Sequence, residues 1–238
     1  MFWRYIIIAL MILISAPANA SIIKESSSKE VVVILHGIFK TSSHMKPIAE
    51  LFEDDYIVLN INYPSTKHDI ESLTDLIYYK HLSDINQEVR VSFVGYSMGG
   101  LLVRAILNKY KFKNLHRVLF LATPHQGSEV ADFLRDNYLY KKLYGPAGAQ
   151  LGTKYDKTKI VGEPYYEFAV MAGNSSIDPI SSYIIPGDDD GKVSINSAIL
   201  NNAKDAVVID ASHLFFPSNI KVKKQVLSYI KNGKFFHD

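Results

Sequence analysis

The chain has 238 residues, enough for one sizeable α/β domain and short for two. Its composition, 47% hydrophobic and 21% charged, is that of a folded protein without low-complexity tracts. A formal net charge of +2 gives no electrostatic case for a nucleic-acid partner, and the absence of cysteine leaves no disulfide framework.

The first twenty residues, MFWRYIIIALMILISAPANA, carry one charge, Arg4, then an apolar run from Tyr5 to Ile14, then Pro17 and Ala18-Asn19-Ala20. That is the layout of a secretory signal peptide cut after Ala20, and the run is too short to span a bilayer comfortably. The expectation is an exported chain, periplasmic or secreted; the alternative is that the segment stays as a membrane anchor. Residues 21–30 are a polar, serine-rich lead-in, and one domain is expected over 31–238. VVVILHG is β-branched without alternation, which suggests a strand covered on both faces. A helix-like stretch near 44–53 precedes a second strand, YIVLNINYP. Residues 69–83 suit a helix, with Asp69 early in it and Leu73, Leu76 and Ile77 on one face. RVSFVGYS reads as a strand and MGGLLVRAILNKY as the helix after it; HRVLFLATP and GSEVADFLRDN repeat the alternation. Residues 138–165 mix tyrosine, lysine and glycine without clean periodicity. They are expected to leave the sheet as a cap-like or lid-like excursion bordering a ligand crevice, with no large helical lid evident. YEFAVMAGN and AVVIDASH supply the last strands, and a terminal helix covers about 219–232. The pattern predicts an α/β protein with a doubly wound, mostly parallel sheet and helices on both faces.

Ser97 stands in GYSMG, at a strand-to-helix junction, between Gly95 and Gly99. Such a turn is tight enough that side chains at the flanking positions would collide, and it pushes the hydroxyl above the end of the sheet. The N–H of Met98 then lies at a helix N-terminus, where developing negative charge is favoured. A serine nucleophile needs a base, and the base needs an orienting acid, in the chain order serine, acid, histidine for this architecture. Of the histidines after Ser97, His237 is penultimate and expected to be frayed, and His125 precedes any acid-bearing loop. His213, just beyond the last strand, is the best base. Candidate acids are Asp178, Asp188, Asp189 and Asp190. Asp190 is chosen because Asp190-Gly191 is a turn signal and Val193 can anchor the loop in the core; Asp188 and Asp189 then read as a solvated acidic loop, and Asp178 is the alternative nearer the strand ending at Gly173. The three adjacent aspartates lack the alternating ligand spacing of a calcium loop. Gly37 lets the chain after the first strand turn an amide inward, that of Ile38 or, failing it, Phe39; His36 reads as structural.

Taken together, LHGIF, GYSMGG, ATPHQGS, GPAGAQL, DDGKVSINSA and ASHLFF resemble the α/β-hydrolase superfamily, most of all small bacterial serine esterases and lipases, over nearly all of 31–236. The resemblance implies a triad of Ser97, Asp190 and His213, with Asp190 in a D-G-x-V turn, and an oxyanion hole at the Met98 and Ile38 amides. It also implies a small-molecule or lipid ester substrate; any membrane contact would run through that substrate or through an uncleaved N-terminal segment, and acyl transfer through a serine needs no metal or organic cofactor. His213 must start neutral, so activity is expected to fall in acid. The fold also hosts thioesterases, amidases and lipid acyltransferases or deacylases. A non-catalytic envelope binding protein on the same scaffold is the rival from another class.

Overall fold

The computed structural model describes residues 29–237; the expected leader and all but the last two residues of the lead-in lie outside the described residues. Six strands form one sheet: β1 (Val31–Leu35), β2 (Ile57–Ile61), β3 (Val91–Tyr96), β4 (Leu115–Leu121), β5 (Ala169–Gly173) and β6 (Asp205–Ile209). Their order is β2-β1-β3-β4-β5-β6 and every pairing is parallel, as the continuous apolar runs require. Successive strand residues point to opposite faces, so the core divides in two. Val31, Val33, Leu35 and Phe93 face one layer with Leu73 and Leu101, while Val32, Ile34, Val94 and Tyr96 face the other with Ile48 and Val226. All of β1 and β3 is buried, which explains why neither alternates in sequence.

The helices that flank these strands follow the local signals with adjustments at their ends. The stretch near 44–53 is a 3₁₀ turn, Ser42–Met45, running into one turn of α1 (Lys46–Ala49). In α2 (Ile70–Ile77), Asp69 caps the N-terminus by accepting from the Ser72 N–H at 2.8 Å, and a wide turn continues to Leu82. α3 (Met98–Lys109) follows β3, and α4 (Glu129–Leu134) is capped by Ser128. The excursion after it is more helical than its pattern suggests, holding α5 (Tyr138–Ala149) and α6 (Lys157–Val161). The periodicity fails because α5 is two pieces joined at Gly145, where φ is 63° and Pro146 follows. A Cβ there would sit 1.9 Å from the Thr66 carbonyl oxygen, so only glycine fits. Two short helices, α7 (Pro179–Ile184) and α8 (Ile195–Ala198), precede β6. The last helix, α9 (Ile220–Asn232), starts on an Asn219 cap. The tail beyond it is tied down rather than frayed: Phe235 is buried, its N–H donates to Asp205, and His237 Nε2 lies 2.8 Å from the same carboxylate.

The strand order reverses between β1 and β3, where a crevice opens at the carboxyl ends of a parallel sheet. The loops leaving those two strands are so close that a Cβ on Gly37 would lie 3.0 Å from that of Ser97. Elsewhere in the fold His36 and His125 are buried and His44, His81 and His116 half-buried. Burial lowers the pKa of His36, His81, His116 and His125, and that of His44 to about 4. These groups bind protons more weakly folded than unfolded, so the stability tied to them is present above the unfolded value of 6.5 and is lost as pH falls toward 4. Urea unfolding is expected to show lower stability at about pH 4.5 than at about pH 7. Equal midpoints would contradict this account of the histidines.

Candidate active site

Ser97 closes β3 and opens α3 with φ 54° and ψ −126°, a conformation a non-glycine residue adopts only when its surroundings enforce it. They do. A Cβ at Gly95 would lie 2.5 Å from the Gly100 Cα, and one at Gly99 would lie 2.4 Å from the Leu35 carbonyl oxygen. Both flanking positions must therefore be glycine for the helix to pack this tightly on the sheet. The Ser97 N–H donates to the Leu121 carbonyl at 2.8 Å, and its own carbonyl accepts from Gly100 at 2.9 Å.

The structure brings the three side chains singled out above together. Ser97 Oγ lies 3.0 Å from His213 Nε2, and His213 Nδ1 lies 2.7 Å from Asp190 Oδ2. The other carboxylate oxygen of Asp190 accepts from the Lys192 N–H at 3.0 Å and the Val193 N–H at 2.8 Å. The Asp190 carbonyl also accepts from the His213 N–H at 2.8 Å, so the two loops are joined through backbone as well as side chain. With its carboxylate buried, Asp190 favours the tautomer with hydrogen on Nδ1, which leaves the Nε2 lone pair facing the serine hydroxyl. Tyr96, one residue before the serine, donates its hydroxyl to the His213 carbonyl at 2.6 Å. The serine strand thus also holds the histidine loop, a tie across 117 residues that only the fold creates.

The remaining acids have other duties. Asp178 caps α7 through the Ser181 N–H and hydroxyl and pairs with Lys192 at 2.7 Å; the Lys192 ammonium holds its carboxyl well below the usual range. Asp188 is exposed, as a solvated loop requires. Asp189 is not: it is buried and accepts from the Gly191 N–H at 2.6 Å and the Ser182 hydroxyl at 2.9 Å, shaping the turn that carries Asp190. The expectation of a solvated role for Asp189 is therefore corrected. Val193 packs against Ala172 and Ala198, anchoring the loop.

Among the amides, that of Met98 is the first of α3, a donor without an intrahelical partner. Ile38 lines the cavity beside Ser97. The Phe39 N–H is spent on the Ser65 hydroxyl at 3.1 Å, which removes the fallback donor. That contact spans 26 residues and had no local signal. His36 is structural: its ring stacks on Tyr63 at 4.0 Å, donates from Nδ1 to the Gly37 carbonyl, and accepts from the Tyr63 N–H. His125 is buried with Nδ1 3.2 Å from the Arg104 guanidinium and takes no part in the serine–histidine–aspartate contacts. Among the described residues no group of three His, Cys, Asp or Glu side chains is placed to hold a metal ion.

Above Ser97 is a cavity of about 490 Å³. Val130, Ala131 and Leu134 of α4, Tyr140 and Tyr144 of α5, and Leu151 make its apolar wall. Of the irregular 138–165 stretch, Tyr140, Tyr144 and Leu151 thus line the cavity above the serine. The α4 contribution was hidden, because its apolar residues read equally well as core.

Fold and site together define a serine hydrolase built on a parallel α/β sheet. A family model described as "Putative serine esterase (DUF676)" matches residues 25–160, more than half of the chain, and the chain belongs to that family. It is an ester hydrolase of the α/β-hydrolase fold. Among solved structures it is similar to the mature lipase BlEst2 of Bacillus licheniformis, at 22% identity over 85% of this chain and 91% of that one, TM-score 0.62. The metagenomic carboxyl esterase MGS0156 matches at 16% identity over 79% of this chain and 65% of that one, TM-score 0.64. The esterase EaEST of Exiguobacterium antarcticum matches at 15% identity over 86% and 93%, TM-score 0.60.

Proposed function

We propose that the enzyme cleaves carboxylic esters with an apolar acyl group through a covalent acyl-enzyme on Ser97. Ser97 Oγ bonds to the ester carbonyl carbon while its proton passes to His213 Nε2. The Met98 and Ile38 amides hold the oxyanion of the tetrahedral adduct. The carbon–oxygen bond to the leaving group then breaks, and His213 returns the proton to the departing alcohol. Water, deprotonated by His213, repeats the sequence on the acyl-enzyme and frees the acid. Asp190 holds the imidazole tautomer and stabilises its charged form. The observation that carries this reading is the unbroken chain of contacts, 3.0 Å and 2.7 Å, at the floor of an apolar cavity. The amino-terminal pattern of Arg4, an apolar run and Ala18-Asn19-Ala20 supports export, with cleavage after Ala20.

The test is an acyl-length series of chromogenic esters with matching thioester and amide analogues. Because each buried methylene contributes about 0.8 kcal/mol, kcat/KM for the esters is expected to rise roughly fourfold per added methylene until the cavity is full. Esters should exceed the amides at every length. A flat dependence on chain length, or faster amide cleavage, refutes the assignment.

A further inference from the structure

The cavity mouth is ringed by apolar side chains that none of the described residues covers. Sixteen large hydrophobic residues are exposed among the described residues, and ten of them lie on the four segments that frame this one opening. Four of the ten are cavity wall and outer surface at once: Phe39 (54% exposed), Ile177 (60%), Ile180 (75%) and Leu214 (44%). The apolar lining therefore continues outward onto the rim, interrupted at the mouth by Lys40 and the Asp178–Lys192 ion pair. Tyr183, one turn beyond Ile180 on α7, is 92% exposed, and Leu139 on α5 extends the rim on the other side. Scattered exposed hydrophobics need no explanation, but a contiguous set around one opening does.

The charges on this face narrow the occupant. Lys40 lines the mouth itself. On α5 the exposed apolar side chains of Tyr138, Leu139 and Leu143 alternate with the exposed cations Lys141 and Lys142, the composition of helices that lie in a membrane interface. Lysines at that depth meet lipid phosphates. The path to Ser97 opens inside the patch, so a protein seated there would plug the site, whereas a bilayer offers its own acyl chains to the opening.

We infer that this rim docks the enzyme on a phospholipid bilayer, so that ester-bearing lipid passes from the membrane into the cavity without crossing water. The inference rests on the ester-hydrolase reading above. The chain has no cysteine, so a single introduced one carries a fluorophore cleanly. An environment-sensitive dye on Tyr183→Cys is expected to brighten and shift to the blue with phosphatidylcholine vesicles, and more strongly when phosphatidylglycerol is added. The same dye on Glu88→Cys, exposed beside the amino end of β3, should not respond. Because both variants carry the same amino-terminal segment, anchoring by that segment alone leaves position 183 dark. No response at 183, or an equal response at both positions, overturns the inference.

A second measurement is kinetic. Leu139→Glu with Tyr183→Glu, both outside the cavity lining, should lower turnover of a vesicle-embedded ester by about tenfold and leave a water-soluble short-chain ester unaffected. Equal effects on the two substrates, no effect on either, or self-association through the rim without a vesicle response, count against it. Failure of the esterase reading is separable. It appears as absent turnover of the soluble ester, whereas the dye response must persist in Ser97→Ala.

Discussion

Ser97→Ala is expected to lower kcat/KM for a soluble chromogenic ester by about five to six orders of magnitude, toward what the remaining site achieves without a nucleophile. The same change should leave the folded state nearly untouched. What alanine removes is one oxygen and its 3.0 Å contact with His213. The backbone ties of the turn, from the Ser97 N–H to Leu121 and from Gly100 to the Ser97 carbonyl, do not involve the side chain. The strain at φ 54° is the same for serine and alanine, since both carry a Cβ. Unfolding free energy should therefore stay within about 1 kcal/mol of the parent, because surface and turn substitutions that spare packing cost little. Turnover and unfolding measured on one preparation separate a lost nucleophile from a lost fold. Covalent labelling by a fluorophosphonate should vanish in the variant; retained turnover or retained labelling would remove Ser97 from the mechanism.

The strain at Ser97 has company. Among the described residues three non-glycine positions have positive φ: Phe39, Ser97 and Ala122. They follow β1, β3 and β4, three adjacent strands, at the same edge of the sheet. Conformations of this kind cost of order 1–3 kcal/mol each and persist only where several contacts fix them. Each has such a contact: the Ser65 hydroxyl on the Phe39 amide, the Leu121 carbonyl on Ser97, and the Met171 carbonyl on the Ala122 amide at 2.8 Å. The free energy stored at this edge is offset by the buried strands below it, and the conformation at Ser97 holds its hydroxyl 3.0 Å from His213.

That division also explains which parts could be read from the residues in order. β1 and β3 were legible because burial on both faces demands unbroken apolar runs, and α2 because Asp69 marks its start. The Gly95-x-Ser97-x-Gly99 turn was legible because steric exclusion leaves a local trace. Tertiary hydrogen bonds leave none. Nothing near Phe39 shows that Ser65 will take its amide, and nothing near Tyr96 shows that its hydroxyl will reach His213. Asp189 misled for the same reason. Three adjacent aspartates look alike as a string, and only the direction of the Gly191, Lys192 and Val193 amides distinguishes a turn former from an acid. The helical character of 138–165 was masked by the break at Gly145, which halves the window over which a 3.6-residue period can be seen.

Asp190→Asn should reduce kcat/KM by about four orders of magnitude with little change in stability, and the geometry states why so small an edit acts so strongly. In the parent, one carboxylate oxygen faces two donors, the Lys192 and Val193 amides, and the other faces His213 Nδ1. An asparagine has one oxygen for these two places. If its NH₂ turned toward the amides, donor would meet donor twice in a buried site, so the oxygen stays with Lys192 and Val193 and the NH₂ faces the imidazole. His213 must then accept at Nδ1 and carry its hydrogen on Nε2, where it can no longer take a proton from Ser97. The expected loss is therefore in kcat, with KM little changed, because the cavity walls do not move. The neighbouring acids supply the contrast. Asp178→Asn breaks the ion pair with Lys192 and weakens the cap of α7, at a cost of less than about tenfold in turnover. Asp189→Asn disturbs a buried carboxylate that accepts from Gly191 and Ser182, and should destabilise by about 1–3 kcal/mol while the folded fraction keeps most of its activity. Asp188→Asn, on an exposed residue, should be silent in both assays. If Asp178→Asn instead removes activity and Asp190→Asn is mild, the acid has been misassigned and the 2.7 Å contact with His213 is structural.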